Sequence, residues 1–137
     1  MLLLREDMTI APTLLTVATD LRTSTTAQRF DGHTHGGGVD VSFFLNHTAP
    51  GGGASEHRHP YPEVFVLFDG EATFSIDGAA VAAQAGQIVV VPARATHAFR
   101  NSGTGSLEMI SIHPAAEMVT EWADEACPRT SSKTSSP

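Results

Sequence analysis

Short apolar runs, each ended by glycine or proline, recur through the middle of this 137-residue chain. They lie at 41–47, 64–68, 72–76, 88–91, 97–100 and 107–112. The run at 72–76 alternates apolar and polar residues, as a half-buried strand does. It is followed by Asp77-Gly78, which suits a type I′ hairpin turn because both residues tolerate positive φ. Short strands at this spacing predict an all-β protein, an antiparallel sandwich or barrel.

The two ends of the chain differ from this middle part. After Pro114, Met118, Val119 and Trp122 fall on one helical face, which predicts a short amphipathic helix that packs against the barrel. The last residues are small and polar, a composition typical of disorder. The predicted organisation is an N-terminal extension, partly strand, at 1–28, a barrel at 29–114, a C-terminal helix at 115–126 and a disordered tail at 127–137.

Composition excludes several classes of function. The 8 basic residues against 15 acidic ones give a net charge of −7, so nucleic acid is not an expected partner. Cys127 is the single cysteine, which rules out an internal disulfide and a cysteine-based metal site. The sequence contains neither a signal-peptide pattern nor an apolar run long enough to span a bilayer. We therefore expect a cytoplasmic protein with no membrane association.

Histidine is the residue from which a site could be built, and the informative stretch is 57–63. On a strand, His57 and His59 project from the same face. A fully extended chain would carry Glu63 about 13 Å beyond His59, too far to share an ion. Pro60 and Pro62 exclude a helix interior and can turn the chain, so that Glu63 returns beside the histidines. Two imidazoles and a carboxylate facing one point form a site for a divalent transition metal.

His97 opens another β run, where a third imidazole could complete the site. Three neutral histidines and one carboxylate would leave a divalent ion with a net charge near +1. In octahedral geometry, two positions would stay open for a substrate oxygen or, with iron, for dioxygen. Iron, manganese, zinc and nickel all remain open as the metal.

These residues also carry a family resemblance, because the chain resembles the cupin superfamily in both of its sequence motifs. The first motif (Gly, five residues, His-x-His, three or four residues, Glu, six residues, Gly) is filled by Gly51, His57, His59, Glu63 and Gly70. The second (Gly, five residues, Pro-x-Gly, two residues, His, three residues, Asn) is filled by Gly86, Pro92, His97 and Asn101, with Arg94 in place of its glycine.

The resemblance implies a jelly-roll β-barrel whose metal ligands are His57, His59, Glu63 and His97. Arg94 puts only the turn in doubt, because glycine takes positive φ there without strain. Its guanidinium could also bind a substrate carboxylate. Candidate lining residues of the substrate pocket are Tyr61, Phe65, Leu67, Arg94 and Phe99; for the apolar members, ordinary barrel core is an equal alternative.

Simpler interpretations compete with this site. The stretch at 57–63 could be a histidine-rich loop without metal, or the metal could be purely structural, although closed structural sites usually recruit cysteine. His33 and His35 lie among glycines, which favours a flexible loop over a ligand role. His47 and His113 lie in or beside predicted strands and are expected to be hydrogen-bonded structural residues.

The leading functional hypothesis is a metal-dependent dioxygenase acting on a small enol, diketone or phenolic substrate, with Glu63 also able to act as a base. One alternative is an isomerase, or a cyclase of the kind found among polyketide-tailoring cupins. Another is a cupin that binds a small ligand without catalysis. Because edge strands with apolar outer faces need cover, we expect a homodimer.

Overall fold

The computed structural model describes residues 11–123, and most of these residues lie in β-strands. Two single helical turns occur, α1 (Val17–Asp20) and α2 (Gly32–His35). The strands are β1 (Arg22–Thr23), β2 (Ala27–Phe30), β3 (Ser42–Thr48), β4 (Gly53–Arg58), β5 (Glu63–Asp69), β6 (Glu71–Ile76), β7 (Ala79–Gln84), β8 (Ile88–Val91), β9 (His97–Asn101), β10 (Leu107–His113) and β11 (Glu121–Trp122). No helix within 11–123 is long and apolar enough to span a membrane.

The strands form two antiparallel sheets. The six-stranded sheet has the order β1-β2-β3-β10-β5-β8, and the five-stranded sheet has the order β11-β4-β9-β6-β7. All six predicted runs form strands, within about a residue of the expected limits, and the predicted all-β architecture is confirmed. Asp77 and Gly78 take φ values of +49° and +85° and join β6 to β7, so the predicted hairpin is confirmed as well.

The core lies between the sheets and follows from strand alternation. Along β5, Glu63, Phe65 and Leu67 point inward, while the residues between them are partly exposed. Phe65 packs edge-on against Phe74, with ring centroids 4.9 Å apart, and both contact Phe99. Glu63 therefore continues an apolar inner row, so that a carboxylate lies directly at the end of the hydrophobic core.

Apolar side chains also cover the outer face of the six-stranded sheet. Cross-strand pairing aligns them in two rows across β3, β10, β5 and β8, one of Phe43, Ile112, Val64 and Val90 and the other of Leu45, Ile110, Val66 and Ile88. We call these eight residues the outer apolar face. Ile88 and Val90, on the terminal strand β8, are 62% and 59% exposed. Large contiguous apolar surfaces of this kind mark interaction sites.

The predicted C-terminal helix does not form over residues 115–122. The chain bends after Pro114 and then pairs β11 with β4. The carbonyl groups that a helix would need are bonded elsewhere: the Ser42 hydroxyl donates to the carbonyl of Ala115, and the His33 N–H donates to that of Ala116. Tertiary hydrogen bonds thus replace the helical ones. The remainder of the predicted helix and the predicted tail lie outside the described residues.

The segment with His33 and His35 is also different from the expected flexible loop. It forms the helical turn α2, in which the ring Nδ1 of His35 accepts a hydrogen bond from the backbone N–H of Asp31 at 2.9 Å. Glycine is needed at position 32, because the Cβ of any other residue would lie 2.0 Å from the carbonyl oxygen of Val39. The flanking glycines predict a flexible loop, and the hydrogen bond of His35 that orders this turn leaves no signal in that pattern.

Gly70 offers a direct test of how the motif glycines support the fold. It has φ +89°, and a Cβ there would lie 2.6 Å from the carbonyl oxygen of Ser106. We expect Gly70→Ala to lower the free energy of unfolding by about 1–3 kcal/mol, since left-handed strain and a backbone clash add. Gly105→Ala is the matched control because nothing lies within 4 Å of its added Cβ. Equal denaturant midpoints for the two variants would contradict this account.

Candidate metal centre

Two antiparallel strands bring His57 and His97 together. His57 lies near the end of β4 and is paired directly with His97, the first residue of β9. Their rings are 4.3 Å apart between centroids. Both side chains point inward, since their exposed fractions are 1% or less. The register of β4 and β9 therefore sets the geometry of this half of the site.

A proline-containing turn supplies the other half. The chain turns over 60–62, and Glu63 begins β5 opposite Val91. This turn places the Oε1 atom of Glu63 3.0 Å from Nε2 of His59 and 2.9 Å from Nε2 of His97. The return of the carboxylate toward the histidines, which the prolines predict, is therefore observed. One ligand atom from each of His57, His59, Glu63 and His97 lies within 4.8 Å of the others, and all four residues are buried.

The outer ring nitrogen of each histidine is bonded to a backbone carbonyl. The distances from Nδ1 to the carbonyl oxygen are 2.6 Å for His57 and Ser55, 2.8 Å for His59 and Val119, and 2.8 Å for His97 and Ala95. A carbonyl only accepts, so Nδ1 carries the proton in each ring. In the neutral ring, Nε2 then presents a lone pair to the interior.

The resulting cluster of acceptors matches a cation. Three Nε2 lone pairs and a carboxylate oxygen meet in a buried space, where unpaired polar groups are costly. Nε2 of His57 and Nε2 of His59 have no hydrogen-bond partner among the described residues. Histidine and carboxylate donors together suit divalent transition metals, and hydrogen bonds to the outer nitrogens fix the rings for coordination. The four residues are thus compatible with a divalent metal.

Electrostatics keep the donors in the required protonation states. Burial lowers the pKa of His57 to about 4, despite the hydrogen bond to Ser55, so its ring is neutral at pH 7. Burial alone would raise the pKa of Glu63. The neighbouring histidines, His113 first among them, outweigh burial and hold the pKa of Glu63 well below its usual range.

His113, which sequence reasoning did not place at the site, adjoins the centre together with Tyr61, a predicted pocket residue. His113 is fully buried, and its Nε2 lies 3.2 Å from Oε2 of Glu63. Its Nδ1 lies 2.8 Å from the hydroxyl of Tyr61. The available signal was the alternation along β10, where Met109, Ser111 and His113 share the inward face. His113 is hydrogen-bonded, as expected, but its neighbour is the site itself.

The other predicted pocket residues occupy two environments. Phe65, Leu67 and Phe99 belong to the hydrophobic core, and Phe65 also contacts a ligand ring, that of His97, with 6.2 Å between the ring centroids. Arg94 is exposed and has φ +69°, a left-handed conformation costing about 1–3 kcal/mol. Its N–H donates to the carbonyl of His59 at 2.8 Å. The strained turn therefore holds a residue of the centre in place.

Two small cavities each adjoin one histidine of the centre, and Arg58 and Glu121, which form an ion pair, line both. One, of about 190 Å³, adjoins His57 and is walled by Trp122, whose ring lies 4.9 Å from the His57 ring. The other, of about 150 Å³, adjoins His59 and is lined in part by Arg94. The C-terminal segment with β11 therefore lines both cavities.

Comparison with known proteins agrees with this geometry. The profile of the Cupin domain family matches residues 44–113, about half of the chain, including all four residues of the centre. The chain belongs to the cupin family. This cupin is 37% identical to polyketide synthase CurC of Streptomyces cyaneus over 62 residues, which are 44% of this chain and 40% of the relative.

Solved structures show the same fold. Oxalate decarboxylase from Bacillus subtilis aligns with this cupin at a TM-score of 0.68 and 20% identity, over 80% of this chain and 31% of the decarboxylase. A second structure of that enzyme, which contains Mn(II) centres, aligns at 0.68 and 19% identity over 88% of this chain and 36% of the enzyme. At such identity the likeness shows the fold alone. The cupin spans less than half the length of these relatives.

Metal binding can be tested by thermal stability. After treatment with a chelator, a divalent metal at 100 times its Kd should stabilise the protein by about 2.7 kcal/mol, because it binds only the folded state. His59→Ala should remain folded, since the barrel core is untouched, and should show neither bound metal nor this stabilisation. His47→Ala, at an exposed histidine on β3, is the control. Elemental analysis beside melting curves provides the measurement; full metal content in His59→Ala would contradict the assignment.

Proposed function

We propose that this cupin is a metal-dependent dioxygenase acting on a small enol, diketone or phenolic molecule, with His57, His59, Glu63 and His97 as the metal ligands. The observation that carries the proposal is the convergence of three fixed Nε2 atoms and one carboxylate oxygen. A divalent metal held there would polarise a substrate oxygen, and a redox-active one such as iron or manganese would also support chemistry with dioxygen.

The residues of the chain favour a small substrate with an acidic O–H group. Glu63 is ionised because of its low pKa, and a weakly basic carboxylate accepts a proton most readily from an acidic donor such as an enol or a phenol. The cavity beside His57 is about 190 Å³, smaller than typical drug-sized pockets of about 300–1,000 Å³. Trp122 forms a flat wall in this cavity, which suits a planar substrate.

A second candidate is a reaction that needs no oxygen, namely isomerisation or cyclisation through an enolate. The similarity to polyketide synthase CurC supports this candidate, because polyketide chains are rich in β-dicarbonyl groups whose enols fit the same donor arrangement. Glu63 would then move a proton between substrate positions, and no dioxygen would be consumed. A third reading, ligand binding without catalysis, uses the same cavity.

One experiment separates these functions. Metal-free protein is loaded in turn with Fe(II), Mn(II), Zn(II) and Ni(II) and mixed with a panel of small β-diketones and phenols. We expect oxygen uptake with a redox-active metal, measured with an oxygen electrode, and product detected by mass spectrometry. His59→Ala, treated in the same way, should show neither. Conversion without oxygen, including with zinc, would replace the dioxygenase by the cyclase or isomerase, and binding without any conversion would reject both.

We also propose that two copies of the chain pair through the outer apolar face. The terminal strand β8 ends the six-stranded sheet and exposes Ile88 and Val90. Packing of the outer apolar face of one copy against that of a second copy, about a two-fold axis, would cover both residues.

The mass in solution tests this pairing. Light scattering should give twice the 14.4 kDa of one chain for the unmodified protein and a monomer for the double variant Ile88→Lys, Val90→Lys. Val81→Lys, on the terminal strand β7 of the other sheet, should leave the dimer unchanged. A monomeric unmodified protein would disprove the pairing.

A further inference from the structure

A chain of polar groups leads inward from Val119, an exposed residue of the C-terminal segment, to the buried carboxylate of the centre. The backbone N–H of Val119 donates to the hydroxyl oxygen of Tyr61 at 3.0 Å. That hydroxyl lies 2.8 Å from Nδ1 of His113, and Nε2 of His113 lies 3.2 Å from Oε2 of Glu63. Among the described residues neither Nε2 of His113 nor Oε2 of Glu63 has an aligned hydrogen-bond partner, so their approach is a close polar contact between two buried atoms.

The direction of these contacts follows from counting protons. An ionised carboxylate only accepts, so the approach of Nε2 of His113 to Oε2 of Glu63 is favourable when that nitrogen carries the proton. Nδ1 of the neutral ring is then an acceptor, and the Tyr61 hydroxyl donates to it. Because the N–H of Val119 occupies a lone pair of the same hydroxyl, the hydroxyl proton is free to turn toward His113. One tautomer of His113 satisfies every partner.

The two oxygens of Glu63 therefore have different surroundings. Oε1 faces His59 and His97 at 3.0 and 2.9 Å, whereas Oε2 faces His113. From these contacts we propose that His113 and Tyr61 are positioning residues: His113 holds Oε2, so that Glu63 presents Oε1 alone to a metal. This inference rests on the metal centre proposed above.

Val119 also positions His59, one of the histidines of the centre. Its carbonyl accepts from Nδ1 of His59, while its N–H holds Tyr61. The ring of Tyr61 also stacks on the ring of His59, at 5.2 Å and 2° between planes. A single residue of the C-terminal segment thus orients both His59 and, through Tyr61 and His113, Glu63. Outer partners of this kind typically change metal affinity by about 10–100-fold when removed.

Metal affinity provides the first test, by calorimetric titration of chelator-treated protein with Zn(II) and with Mn(II). Tyr61→Phe keeps the stacked ring and removes only the hydroxyl, and His113→Leu removes the donor to Glu63. We expect both to bind metal about 10–100-fold more weakly. His113→Gln places an amide donor near the former Nε2 position and should bind within about fivefold of the unmodified protein. His47→Gln is the control and should bind normally.

Rescue by glutamine distinguishes positioning from packing. The proposal is overturned if Tyr61→Phe and His113→Leu, both folded by circular dichroism, bind metal as the unmodified protein does. It is equally overturned if folded His113→Gln loses as much affinity as His113→Leu.

The tautomer of His113 gives a second measurement that needs no metal. Proton–nitrogen correlation spectra of the metal-free protein should show His113 protonated at Nε2, and this preference should weaken in Tyr61→Phe, where Nδ1 loses its donor while Glu63 remains. Protonation at Nδ1 in the unmodified protein would overturn the positioning role. If no metal binds at all but His113 has the expected tautomer, the proposed metal centre fails while the Tyr61–His113 arrangement stands.

Discussion

Four buried acceptors that meet at one point are the constraint on which the rest of the structure depends. Each of the three histidines donates its outer N–H to a backbone carbonyl, so its inner nitrogen is left without a proton. Glu63 adds a negative charge in the same buried space. Such an arrangement is unfavourable on its own and becomes favourable around a cation. The strand register, the proline turn and the C-terminal segment all serve to hold these groups in place.

The centre is joined to the fold at the end of the core rather than added to its surface. Glu63 and Phe65 share the inner row of β5, and Phe65 also contacts the ring of His97. Apolar packing therefore fixes the carboxylate and one histidine, while hydrogen bonds to the carbonyls of Ser55 on β4 and Val119 fix His57 and His59. Arg94 has an unfavourable left-handed conformation. This conformation lets its N–H donate to the carbonyl of His59, which holds that histidine in place.

Local signals in the sequence predicted the strands, the hairpin at Asp77 and the return of Glu63 toward His57 and His59. Those features depend on alternation and turn chemistry, which are short-range properties. The place of His97 in the ligand set was implied by the resemblance to cupins. The C-terminal helix was predicted wrongly because its helical periodicity competes with hydrogen bonds from residues more than 70 positions away, such as that from Ser42. The role of His113 was not predicted for the same reason. Alternation along β10 indicates that its side chain points inward, but it does not indicate that Glu63 is its neighbour. Long-range partners decide both cases.

Crystallography of the protein grown with a transition metal, with data collected on both sides of the absorption edge of that metal, tests the central claim most directly. The account predicts one anomalous peak inside the barrel, bonded to Nε2 of His57, His59 and His97 and to Oε1 of Glu63, at about 2.0–2.2 Å. A peak bound through Nδ1, a peak outside the barrel, or an interior without metal at saturating concentration would contradict it.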